Sequence, residues 1–195
     1  MTVCRSSYYQ IRQLKHTRWY LDFDSAKTLV NSFVTSRVDY CNSLLASAPV
    51  YQTEQLQRVP NAAAHLLLWV PRFDLDLRVK IKDRLHWLRD LERMTFKLCT
   101  LVYKLLNDLA PRYLAELCNP VASDSYRRNL RSAGKNQLIV RRHNLSTYGP
   151  QSFGIAGPIA WNSLPQHLRN DELFCEWFLS GVKSHLFRIS YNCTA

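Results

Sequence analysis

Nowhere in this chain of 195 residues do two aspartates stand side by side. That excludes a tandem carboxylate pair on a tight hairpin, the device that holds two divalent metals against attacking and leaving oxygens. Cys-x-x-Cys is missing too. The six cysteines, at 4, 41, 99, 118, 175 and 193, stand 18 or more residues apart. A zinc knuckle needs four ligands converging at about 2.0–2.3 Å, which such spacing does not supply. Cys175 and His185 lie ten apart, nearly three helical turns, too far to share one ion. Glycine is scarce, at five residues. The stretch 149–157 lacks the Lys-Ser/Thr ending of a phosphate loop and reads as a turn-rich connector. No apolar run approaches a membrane span. With no export signal in view, the expectation is an intracellular protein, nuclear or cytoplasmic. Its thiols are then free and mostly buried, and the sequons at 144–146 and 192–194 are fortuitous. Neither a metal nor a cofactor is expected.

Much else is present. Apolar residues make up 47% and aromatics 12%, with five tryptophans, enough for a real core in one domain or two small ones. Lysine and arginine number 26 against 15 acids, a net charge of +11. Such a surplus favours polyanions, of which nucleic acid is the commonest.

Periodicity predicts a mainly α fold. Arg5 to Tyr20 reads as a helix with Ile11 and Leu14 on one side and Arg12, Lys15 and Trp19 on another. Asp24 or Ser25 then reads as an N-cap, and Asp22 with Asp24 as helix-capping acids. The next helix carries Ala26, Leu29, Val30, Phe33 and Val34 and runs on through Tyr40 and Leu44 toward Pro49. Glu54 to Leu68 reads as a helix burying Leu56, Val59, Ala63 and Leu67, with Pro60 an awkward guest that predicts a kink. Residues 72–82 alternate apolar and charged, as a short strand or extended loop does. The strongest helix runs from Asp90 to Asn107. Its apolar face is Leu91, Met94, Leu98, Leu101, Val102 and Leu105, and its polar stripe is Arg93, Lys97, Thr100 and Lys104. A short helix follows over Arg112 to Leu117. Gln137 to Arg141 reads as a strand and Ile159 to Leu164 as a short helix or turn. A last helix starts at Asp171 and Glu172, with Phe174, Phe178, Val182 and His185 on one face. The best break lies near Pro120–Asp124. It separates a helical part, 1–120, from a basic, loop-rich part, 121–195, that ends in a helix.

Four strings stand out: Thr147-Tyr148-Gly149-Pro150 with Ser152-Phe153, then Gly157-Pro158 with Trp161-Asn162-Ser163-Leu164-Pro165, SRVDYCNSLL at 36–45, and LQRVPNAAA at 56–64. In this order and spacing they resemble the segment behind the palm domain in the reverse transcriptase of LINE-type retrotransposons, the jockey-like and chicken-repeat-like group. The resemblance runs from SSYYQIRQL at 6–14 to SHLF at 184–187. It implies a thumb-like helical bundle with at most one short β-hairpin, a polymerase centre ahead of Met1, and a non-catalytic role in holding template RNA or primed DNA. In that family the acid pair follows an aromatic and a small residue, and no such string occurs here. Pro60, His65 and Arg89 depart from the polar, basic and proline residues expected at those places, which is the drift of a decaying copy.

Two cationic surfaces are the candidate sites. One is the ridge Arg93, Lys97 and Lys104. A solvated helix face is the plain reading of that ridge, and phosphate contact along a duplex is the other. The second is the span from Ser125 to Asn170, which has no Asp or Glu. There Arg127, Arg128, Arg131, Arg141 and Arg142 mingle with Tyr126, Tyr148 and Trp161, a mixture suited to single-stranded RNA. Trp161 reads better as an anchor. Asp74 with Asp76 on a strand face could bind a metal, but Arg72 and Arg78 beside them read as neutralising partners. Cys41 beside Asp39 is the one nucleophile worth naming, with burial on a helix the plainer reading. Two further readings stay open. One is a relic frame without a selected function. The other is a module that docks a host protein through Trp177 and Phe178.

Overall fold

The computed structural model describes residues 2–71, 73–123, 133–145, 148–170 and 173–192. The fold is mainly helical. Its contacts gather into two units, Met1–Asn42 with Pro49–Asp90, and Ser43–Ala48 with Leu91–Ala195. The expected boundary at 120/121 falls inside the second.

In the first unit, α1 (Thr2–Thr17) ends in a single tight turn, Arg18–Tyr20. The carboxylate of Asp22 then accepts from the amides of Asp24 and Ser25, each at 3.1 Å. One side chain thus satisfies two orphan donors and caps α2 (Phe23–Val30). The cap is therefore Asp22 rather than Asp24 or Ser25. The helix does not continue evenly to Leu44. It widens over Asn31–Thr35, resumes as α3 (Ser36–Asp39) and stops at Tyr40. A ladder of hydroxyls lies along it. Thr28 donates to the Asp24 carbonyl and Ser32 to that of Thr28, both at 2.9 Å, and Ser36 donates to that of Ser32. Hydroxyls that bond back four residues compete with the helical amides and loosen the turn. Its buried stripe is Ala26, Val30, Val34 and Val38, whereas Phe33 is exposed.

The next helix, α4 (Val50–Leu68), starts directly after Pro49, four residues earlier than expected, and passes through Pro60 unbroken. Leu56, Val59, Ala63 and Leu67 are buried as predicted, and so is Pro60. Burial against the core outweighs the lost amide bond. α1 packs along α4, and α2 also meets it.

The alternating segment is a turn over 73–76 and helical from Leu77 onward, with no strand among its described residues. It forms α5 (Leu77–Lys80), followed by a wider turn over Ile81–Leu85. Leu77, Ile81 and Leu85 are buried at a spacing of four, whereas Phe73 and Leu75 face water. The helical stripe was hidden because exposed apolar residues filled in the alternation.

In the second unit, α6 (Asp90–Leu106) buries Met94, Leu98, Cys99, Val102, Tyr103 and Leu105, and leaves Leu91 exposed. After α7 (Arg112–Ala115) the chain reaches α8 (Phe153–Ser163) and α9 (Cys175–Asn192). α8 starts well before Ile159 because Gly157 and Pro158 sit inside it. A Cβ on Gly157 would lie 3.2 Å from Val102 Cγ2, so glycine lets α8 approach α6. Phe178 on α9 completes the core, stacked 4.3 Å from Tyr103 and 5.7 Å from Trp161. Asp171 and Glu172, the expected start of α9, lie outside the described residues. The strand expected at 137–141 reduces to an isolated antiparallel bridge between Pro120 and Leu138.

Candidate nucleic-acid interface

The strings that stood out in the sequence are chiefly architectural. Trp161 is buried and donates from Nε1 to the Asn136 carbonyl at 2.9 Å. Asn162 clamps Leu138 from both sides. Its Oδ1 accepts from the Leu138 amide at 2.9 Å and its Nδ2 donates to the Leu138 carbonyl at 2.8 Å. A Cβ on Gly149 would run into the Leu145 carbonyl and the His143 ring. Upstream, buried Asn42 donates to Asp39 at 3.1 Å.

The predicted cations divide. Arg93 and Lys97 are half-buried on α6 and each already has a partner. Lys104 is exposed, a turn or two further on. Arg127, Arg128 and Arg131 lie outside the described residues. Arg141 is exposed but donates to the Glu116 carbonyl at 2.6 Å, so part of its capacity secures its own segment. Arg142 is exposed. Tyr148 is exposed and Trp161 is the anchor expected. Trp177 is 73% exposed and Phe178 is fully buried, so the two do not form one docking face.

A richer cationic feature lies in the first unit. A groove of about 1390 Å³ runs along α1 and α4. Tyr8, Arg12, Lys15 and Trp19 line one wall, and Arg58, His65 and Trp69 the other; none of the lining residues is acidic. Helical spacing explains the walls, since side chains three or four apart share a face. At its end, Trp19 and Trp69 meet with ring centroids 4.3 Å apart and planes at 55°. Buried Arg18 sits 5.2 Å from the centre of the Trp69 ring. It donates to the carbonyls of Leu21 at 2.8 Å and Leu67 at 3.2 Å. Arg18 thus ties the end of α1 to the end of α4. Arg12, Lys15 and Trp19 were legible as one side of a helix. The opposing stripe was not, because nothing local says that α4 lies alongside.

Asp74 and Asp76 do not share a strand face. The Asp74 carboxylate pairs with Lys80 and accepts from the Asp76 amide at 2.8 Å. These bonds, the Lys80 contact first, hold its pKa below the usual carboxylate value. The partner is thus Lys80, where Arg72, now outside the described residues, and Arg78 were expected. Cys41 is not buried on a helix. It is exposed, in left-handed backbone with φ 54°. Among the described residues no group of three or more His, Cys, Asp or Glu could hold a metal ion, and no helix is long and apolar enough to cross a membrane. Neither a family model, a curated protein nor a solved structure matches the chain.

Proposed function

We propose that this chain is the rear, non-polymerising part of a LINE-type reverse transcriptase and holds template RNA or primed DNA. The observation that carries the reading is the α1–α4 groove, where Arg12, Lys15 and Arg58 stand exposed with no carboxylate among the lining residues. Cations so placed attract phosphate, and none of the lining residues carries a negative charge to repel it. Arg142 and Lys104 supply further exposed positive charge in the second unit. The quoted strings add the family resemblance, and with no tandem acid pair in the chain no DNA synthesis is expected of it.

The test is a titration of purified chain against labelled structured RNA at two salt concentrations. Three phosphate contacts to a flexible strand weaken binding by at least about twentyfold between ~50 and ~200 mM salt. Arg12→Glu with Arg58→Glu should flatten that dependence. Arg127→Glu with Arg128→Glu probes the second surface in the same assay. Binding indifferent to salt, or untouched by both double variants, would overturn the reading.

A further inference from the structure

Phosphate attraction explains the cations of the groove but not its tryptophans. Trp19 is 77% exposed and Trp69 51% exposed. Neither position is one where water or backbone favours a large aromatic ring. Trp69 ends α4 in left-handed backbone, φ 55° and ψ 35°. Glycine or asparagine caps a helix in that conformation with less strain, and a bulky residue there is an outlier. What keeps Trp69 in place is Arg18, whose two hydrogen bonds fix it beneath the ring. An exposed ring held by a buried positioning residue in strained backbone is a built platform, and such strain gathers at binding sites.

The groove points to a specific occupant. We infer that it takes unpaired nucleotides, with bases stacking on Trp19 and Trp69 and phosphates meeting Arg12, Lys15 and Arg58. This rests on the nucleic-acid reading above and narrows it to single strands. The bases of a duplex are stacked on one another and offer a protein mainly phosphates and groove edges. Splayed bases of a single strand offer flat π-faces to aromatic rings. The platform closes one end of a cationic trough, which is how single-strand binders combine backbone attraction with stacking. Stacking is blind to base identity, so RNA and DNA strands both fit this chemistry.

The experiment compares an unstructured strand of about 12 nucleotides, inside the site sizes of single-strand binders, with a duplex of the same length. Both are titrated against the full chain and its variants, as RNA and as DNA. Trp19→Ala should weaken single-strand binding by about tenfold while duplex binding holds within about twofold. Trp19→Tyr, which keeps a ring, should restore most of the loss. Trp69→Asn removes the ring yet suits left-handed backbone, so it separates stacking from folding, and circular dichroism checks that the helices remain. Equal losses on strand and duplex, or none on either, overturn the inference. So does polyglutamate competing as well as an oligonucleotide of equal charge, which would make the groove a site for acidic polypeptide. If duplex and structured RNA still bind with steep salt dependence while the tryptophan variants change nothing, only this inference fails. If no polyanion binds at all, the proposed function fails with it.

Discussion

Cys99 sits in the interior of α6, and burial pushes its thiol up to about 12. Cys118 is buried as well and is raised to about 11, desolvation outweighing the nearby Arg141. Cys41 stands in the open. Thiolate is the reactive form, so a brief treatment with an alkylating reagent at neutral pH should label Cys41 and leave Cys99 and Cys118 unmodified until denaturant is added. Peptide mass mapping reads the result, and prompt labelling of Cys99 would contradict its place in the core. Single residues were legible in the sequence where one strong property decided their fate. Trp161, large and apolar with one donor, had to find a buried acceptor. Arg18 and Trp69 were not legible. A lone arginine before a tryptophan gives no sign that it will reach across to another helix. The choice of Cys41 as a helix residue failed because the chain turns over at Tyr40, after a helix whose own hydroxyls had already loosened it.

At the scale of elements, the clamp between α8 and the 136–138 segment has the clearest consequence. Asn162→Ala leaves the Leu138 amide and carbonyl without their partner, at a cost of about 1–3 kcal/mol. In a chain of this size each kcal/mol lowers Tm by roughly 2–4 °C. Asn162→Asp keeps the acceptor for the Leu138 amide but sets a carboxylate oxygen against the Leu138 carbonyl, so it should cost at least as much as alanine. An unchanged Tm in both would mean that water replaces the clamp without loss. Helices announced themselves where apolar residues kept a spacing of three and four without interruption, as α6 does. They stayed hidden for two distinct reasons. Around α5 the exposed Phe73, Leu75 and Val79 mimic a strand beside the buried Leu77, Ile81 and Leu85. In α8 the glycines and Pro158 read as breakers, although glycine is what allows close packing on α6. The candidate groove was half legible for the same reason: one wall is a pattern within a helix, the other a fact of which helices are neighbours.

For the whole molecule, the surplus of positive charge joins a pH effect on folding. His185 is half-buried on α9, and desolvation, helped by Arg188 and His167, holds its pKa below the ordinary 6.5. The unfolded chain therefore takes up that proton more readily than the folded one. Stability rises with pH through the window just below 6.5 and levels off above it. Urea midpoints should be higher at about pH 7.5 than at about pH 5.5, and His185→Gln should shrink the difference. A midpoint that moved the other way would put the imidazole beside an acid rather than in an apolar setting.

Phe73, Leu75, Phe174 and Trp177 stand in water, and this makes the choice of electrolyte a dilemma at the bench. Sulfate ions that would displace the proposed polyanion from Arg12 and Lys15 also drive bare rings and aliphatic tips toward one another. If the proposed guest binds, it would be released under the conditions that make the protein cling to its own copies, and a concentrated, guest-free preparation would then lie in a narrow range of ionic strength.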